Sequence, residues 1–217
     1  MDIQIVSEHN EGNVAKFFTY NGRPWLLILV LLCTGFGIIL IPFIWNWGKS
    51  TLSETDMDNL WREIGASRED EAYRVANYDK DDALRDAIFF FAYADETAPG
   101  KEYRYKLGLD KRIRRNHVKL VYMIFGRDQL IVFDENICCE NLWDGRDSVS
   151  EYYWKDVSSV NFDERENTFE IAVGPKRVEY PLTGQTKEGE GDYEISGSDR
   201  AQEVANAIRL ILREKKA

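Results

Sequence analysis

Between positions 24 and 47 the chain reads PWLLILVLLCTGFGIILIPFIWNW, apolar almost throughout and without a charged residue. The 21 residues 25–45 would rise about 31 Å as a helix at about 1.5 Å per residue, close to the ~30 Å hydrocarbon core of a bilayer. Trp25 at one end and Trp45 with Trp47 at the other occupy the positions where indole rings favour the membrane–water boundary. The pattern predicts a transmembrane helix. Its centre, Cys33-Thr34-Gly35-Phe36-Gly37, is its least bulky part, and Cys33 with Gly37 forms a small-xxx-small pair that would let helices approach closely. Pro42 is expected to kink the last turn, and a re-entrant hairpin turning at Gly35 to Gly37 is the alternative reading.

After Lys49 the pattern becomes helical and acidic. Ser53 with Asp56 three residues on reads as a capping pair, and Met57, Leu60, Trp61 and Ile64 form one stripe before Gly65, where the helix is expected to stop. A second capped start is read at Ser67 with Asp70, leading to a helix that ends near Asn77. A third helix is expected over 81–95, with Leu84, Ile88 and Phe91 on one face and the run Phe89-Phe90-Phe91 making it apolar over more than half its circumference.

Pro99-Gly100 breaks this region, and the apolar period then shortens to two. Tyr103, Tyr105, Leu107 and Leu109 alternate with Glu102, Arg104, Lys106 and Gly108, as in a strand whose tyrosine and leucine face is buried. Residues 119–125 and 129–133 flank Gly126-Arg127-Asp128 and read as a hairpin. Further short strands are expected at 137–140, 149–154, 158–162, 168–173 and 177–182, with turns at Asp144-Gly145, at 163–167 and at Gly174-Pro175. Past a glycine-rich loop at 184–191, Asp199 reads as the cap of a last helix. Ala201, Val204, Ala205, Ile208, Ile211 and Leu212 share one face of it, and Arg213, Lys215 and Lys216 stand at its negative end.

About seven short strands followed by one C-terminal helix, together with EYYWKDVSSV at 151–160 and AIRLILREKK at 207–216, resemble bacterial pleckstrin-homology-like domains over roughly 101–216. The resemblance implies a binding or assembly module. That family has no invariant catalytic set, so the resemblance carries over no functional residue. The expected fold is therefore α+β: a short polar tail at 1–23, a single transmembrane helix at 24–47, an acidic helical spacer at 48–98, and at 99–217 an antiparallel sheet or partly open barrel closed by the C-terminal amphipathic helix.

Charge changes this picture in one place. The chain carries a net charge of −10, which argues against nucleic acid as a partner, since phosphates repel such a field. Yet residues 101–119 hold eight basic against two acidic side chains. Two explanations stand: the basic side chains pair with the acidic helices, or Lys111, Arg112, Arg114 and Arg115 contact anionic headgroups or a protein partner. Chemistry is harder to find. The two histidines, His9 and His117, lie far apart in sequence, and no metal-ligand spacing, phosphate loop or nucleophile motif is present. Cys138-Cys139 reads as buried strand cysteines without a nearby histidine to activate them.

The expectation is a membrane-anchored, non-catalytic binding or scaffold module, needing no metal or cofactor and with the lipid bilayer as its first partner. The alternative is a structural subunit of a homo-oligomer, assembled through the span or the Phe89 to Phe91 helix. The three cysteines give no disulfide framework and no cleavable signal is evident, so the folded part is expected in the cytoplasm.

Overall fold

The computed structural model describes residues 11–19, 52–94, 103–109, 113–139, 147–163, 165–182 and 198–216. The apolar stretch at 24–47, with Trp25, Gly35, Gly37, Pro42, Trp45 and Trp47, lies outside them. Among the described residues no helix is long and apolar enough to cross a membrane.

The described chain is α+β and built on antiparallel sheets. Helix α1 is Glu11–Thr19, α2 is Glu54–Ser67 and α3 is Glu69–Val75. Nine strands follow: β1 Ile88–Ala92, β2 Tyr105–Leu107, β3 Ile113–Arg115, β4 His117–Phe125, β5 Gln129–Cys138, β6 Asp147–Tyr153, β7 Val157–Asp163, β8 Thr168–Val173 and β9 Lys176–Pro181. Helix α4, Ser198–Lys216, closes the order.

Strands β1-β4-β5-β6 form one sheet, β7-β8-β9 a second, and β2-β3 a hairpin of its own. A single bridge between Ala92 and Leu182 joins the two larger sheets, reinforced by Tyr93 N–H donating to Pro181 O at 2.8 Å. Strands β6 and β7 do not pair, so the array curls without closing into a barrel. Helix α4 packs on β7 and β1. Its Ala201, Val204, Ala205, Ile208, Ile211 and Leu212 are buried, as their spacing requires. The helix begins at Ser198, so Asp199 lies inside its first turn instead of capping it.

Turn chemistry sets the register. Phe125 pairs with Leu130 across the Gly126 to Gln129 turn, and the Trp154 indole N–H donates to Gly126 O at 2.9 Å, fixing that corner to the β6–β7 turn. Val173 pairs with Lys176, which leaves a two-residue loop in which Gly174 takes φ of +55°, a conformation that glycine adopts without steric cost. The expected strand at 137–140 is not separate; its first residues are the end of β5.

The largest departure from expectation lies at 81–95. Residues 80–82 form a single 3-10 turn, and Ile88–Ala92 is a strand at the edge of the four-stranded sheet, paired with β4 from Ile88 opposite Met123 to Ala92 opposite Lys119. The Phe89-Phe90-Phe91 run explains the difference. Ile88, Phe90 and Ala92 enter the core between the sheets, while Phe89 and Phe91 pack into the core on the opposite face. A strand covered on both sides is apolar at every position, and over five residues that cannot be told from a buried helix by period alone. With Phe91 against Trp61 and Phe89 against Tyr122, this run does not offer the free helical face on which the oligomer reading relied.

Nor does 52–94 behave as a spacer. Met57, Leu60, Trp61 and Ile64 of α2 are buried against Leu120, Tyr122, Ile124, Ile131 and Phe133 of the sheet. The Ser53–Asp56 capping box forms as expected, with Asp56 N–H donating to Ser53 Oγ at 3.1 Å and Ser53 N–H to Asp56 Oδ2 at 2.8 Å. Gly65 does not stop the helix, which continues to Ser67. A Cβ there would lie 2.3 Å from the Phe89 ring, so the glycine serves close packing. Ser67 Oγ donates back to Ile64 O at 2.9 Å and so ends α2 instead of capping α3. The four-stranded sheet is therefore the middle layer of three.

Candidate functional site

Chemically distinctive side chains gather where the β2–β3 hairpin meets α1 and the start of α2. Tyr105 pairs with Arg115, Lys106 with Arg114 and Leu107 with Ile113. Directly paired residues share a face, so Arg114 and Lys106 point one way and Tyr105, Leu107, Ile113 and Arg115 the other.

The inward face is the polar one. Arg114 is 6 % exposed and forms a two-pronged pair with Asp58 of α2, Nε to Oδ1 and Nη2 to Oδ2 both at 2.8 Å, with Glu54 a further 3.7 Å from Nη1. The fork of a guanidinium matches a carboxylate in this way, and its buried stem fills apolar space beside α2. Lys106 lays its ammonium 3.8 Å from the centroid of the Phe17 ring of α1, and burial pushes its pKa down against the opposing pull of Glu54. Leu109 N–H donates to Glu54 Oε1 at 2.8 Å, tying the hairpin tip to the first turn of α2. At the far end of that helix Arg68 reaches Glu135 of β5 at 3.1 Å.

The outward face is apolar and open. Leu109 is 98 % exposed, Tyr105 68 % and Leu107 58 %. The alternation expected for this strand is present, with its phase inverted: tyrosine and leucine face solvent while lysine and arginine are covered. Period fixes which residues share a face, but which face is buried depends on the neighbouring acidic helix, whose position the period does not carry.

Of the four basic residues singled out, Arg114 is thus internal. Arg115 stacks its guanidinium 4.4 Å from the Tyr93 ring centroid on the outward side. Lys111 and Arg112 lie outside the described residues, in the three-residue gap between Leu109 and Ile113.

A second polar cluster marks the same end of the sheet. Asn116, between β3 and β4, is buried and bonds on three sides: Arg104 N–H donates to its Oδ1 at 2.8 Å, its own N–H donates to Arg104 O at 3.1 Å, and Cys139 N–H donates to its O at 2.9 Å. His117 pairs directly with Cys138 and stacks at 4.8 Å on Tyr103. The histidine that Cys138 lacks in sequence is therefore beside it in space, brought across the sheet from 21 residues away by the β4–β5 register. Both side chains are buried, and the cluster's hydrogen bonds hold the hairpin's root to the sheet. Among the described residues no group of three His, Cys, Asp or Glu side chains is placed to hold a metal ion.

Comparison with protein-family models, with curated proteins and with solved structures gives no match.

Proposed function

We propose that the protein is a membrane-anchored, non-catalytic binding module whose β2–β3 hairpin contacts an anionic bilayer surface. The observation that carries this reading is the outward hairpin face, where Tyr105, Leu107 and Leu109 stand in solvent beside Arg115 and within a few residues of Lys111 and Arg112. Apolar side chains that enter the headgroup boundary together with flanking cations are the composition of an interfacial contact. Burial of Leu107 and Leu109 there would remove from water the most exposed aliphatic surface of the hairpin. The tether supports it too. Trp47, at the end of the apolar stretch, is five residues from Leu52, a reach of at most about 17 Å, and the hairpin tip is bonded to Glu54 just beyond.

A pleckstrin-homology-like arrangement is part of this reading. Seven of the strands form a four-stranded and a three-stranded antiparallel sheet with one helix packed on β7 and β1, an order of elements that agrees with such a scaffold.

The test uses the full chain reconstituted in vesicles with an environment-sensitive fluorophore on Leu109→Cys. Emission should shift to the blue in vesicles containing anionic lipid relative to neutral ones, and the shift should shrink as salt shortens the ~10 Å screening length and in a Lys111→Gln, Arg112→Gln background. Identical emission in anionic and neutral vesicles would remove the headgroup contact. A shift that follows protein density instead of lipid charge would identify a second copy as the occupant.

A further inference from the structure

Helix α1 and the sheet domain flank the apolar stretch on opposite sides in sequence, yet they share one core. Val14, Phe17 and Phe18, at the i, i+3, i+4 positions of α1, are buried in the cluster that contains Met57, Leu60, Tyr122 and Phe133. Lys106 of β2 caps the Phe17 ring, and Phe17 meets Phe18 edge to face at 5.2 Å. Thr19 and Leu52, the described residues that border the apolar stretch, thus both belong to segments packed in one core.

That placement is incompatible with a single crossing. Pro24 is five positions after Thr19, and Leu52 is five positions after Trp47. Each connection spans at most about 17 Å when fully extended, about half the ~30 Å hydrocarbon core. If 24–47 crossed the bilayer once, one of its ends would lie on the face away from the domain, and the short connection there could not recross to reach the shared core.

We propose that both flanks of the 24–47 stretch, α1 before it and the β2–β3 hairpin with the rest of the described domain after it, lie on one side of the membrane. This rests on the membrane reading of that stretch. The elements that border the stretch both meet the β2–β3 hairpin, since Lys106 contacts Phe17 of α1 and Leu109 N–H donates to Glu54 at the start of α2.

The experiment compares two single-cysteine substitutions in the full chain, Lys16→Cys on the exposed side of α1 and Glu179→Cys on the exposed side of β9. Sealed vesicles are treated with a membrane-impermeant maleimide before and after detergent, with the wild-type chain giving the background of the native cysteines. The two positions should behave alike, both labelled or both protected until detergent is added. Labelling of one with protection of the other would overturn the proposal and restore a single crossing with α1 undocked. Alkaline carbonate extraction of the same vesicles keeps the two readings apart. Retention in the pellet with like labelling supports an anchor with both flanks on one side, whereas release into the supernatant removes the membrane reading itself and the inference with it.

Discussion

The two faces of the four-stranded sheet differ in how they are covered. On one face, the second sheet and α4 seal a core of Phe90, Val121, Met123, Val132, Phe169, Ile171 and the α4 stripe. On the other, helices from before the sheet, α1 and α2, seal a core of comparable size around Tyr122, Phe133, Leu60 and Trp61. The first is held by apolar contact, with an amphipathic helix lying on a half-buried surface. The second adds charged cross-links at both ends of α2, Arg114 to Asp58 and Arg68 to Glu135. The difference shows where specificity is placed: α4 is seated by its stripe with only long polar contacts, Arg209 Nη2 to Val160 O at 3.4 Å and Arg85 to Glu203 at 4.0 Å, while α2 must also be set in register against a hairpin.

The strongest test of this comparison puts a charge into each face. Ile208→Asp in α4 and Leu60→Asp in α2 each place an unpaired carboxylate among fully buried apolar side chains, and each should cost about 3–5 kcal/mol, a large share of a domain's net stability. Thermal melts of the two variants should fall together. If Leu60→Asp melts as the wild type does, α2 is a spacer and the second core does not exist in solution. Arg209→Asp, at a half-buried position whose Nη2 donates to Val160 O at 3.4 Å, should be mild by comparison.

Next in size is the contact between α2 and β1. Gly65→Ala drives a methyl group into the Phe89 ring, an overpacking expected to cost about 1–3 kcal/mol. Phe89→Leu in the same chain should recover part of that loss, because the shorter side chain vacates the position the methyl group needs. A Gly65→Ala protein as stable as wild type would show that the helix can slide away from the strand, and that the seam is looser than its geometry.

Much of the first face was legible in the sequence and much of the second was not, for a physical reason. The α4 stripe, the β4–β5 hairpin and the Gly174 turn are local, each readable from residues within a few positions of one another. Whether a sheet is covered on one face or two is not local. The Phe89-Phe90-Phe91 run carried the signal, since an apolar side chain at every position requires cover on every side, but the same run satisfies a buried helix. The hairpin fared similarly: Tyr105, Leu107 and Leu109 were correctly placed on one face, and only the location of Asp58 and Glu54 decides that this face looks outward. Likewise, His117 beside Cys138 depends on register across the sheet, which neither residue's neighbours in sequence specify.

Arg114→Met addresses the cross-link that distinguishes the second face. Loss of the guanidinium leaves Asp58 and Glu54, each about three-quarters covered, facing an apolar side chain, and about 1–3 kcal/mol of stability should go with it. Asp58→Asn in the same chain should cost less than the sum of the two single changes, which is the sign of a direct pair. The lipid-dependent fluorescence shift at Leu109 should survive Arg114→Met if the domain stays folded, since this arginine faces α2. Its loss would mean that Arg114, and not the outward face, meets the headgroups.

The smallest effect separates the two cores by pH. Each holds a strongly buried tyrosine with a large pKa shift: Tyr122, whose hydroxyl donates to Gly65 O, and Tyr180, between Phe90 and Phe169. Burial raises the pKa of both well above the usual tyrosine range, helped by Glu69 at Tyr122 and by Asp134 and Tyr152 at Tyr180. The unfolded chain ionises these groups near pH 10 while the folded chain keeps their protons. Stability is therefore fully present below pH 10 and falls as pH rises past it, by about 1.4 kcal/mol per pH unit for each tyrosine. Denaturant titrations at pH 9, 10 and 11 on Tyr122→Phe and Tyr180→Phe should each show a shallower alkaline decline than wild type. Tyr122→Phe should in addition start lower at pH 9, by about 1 kcal/mol for the lost hydrogen bond. An alkaline slope changed by only one of the two substitutions would mean that the other tyrosine already reaches water, and that its face of the sheet opens before the rest of the domain unfolds.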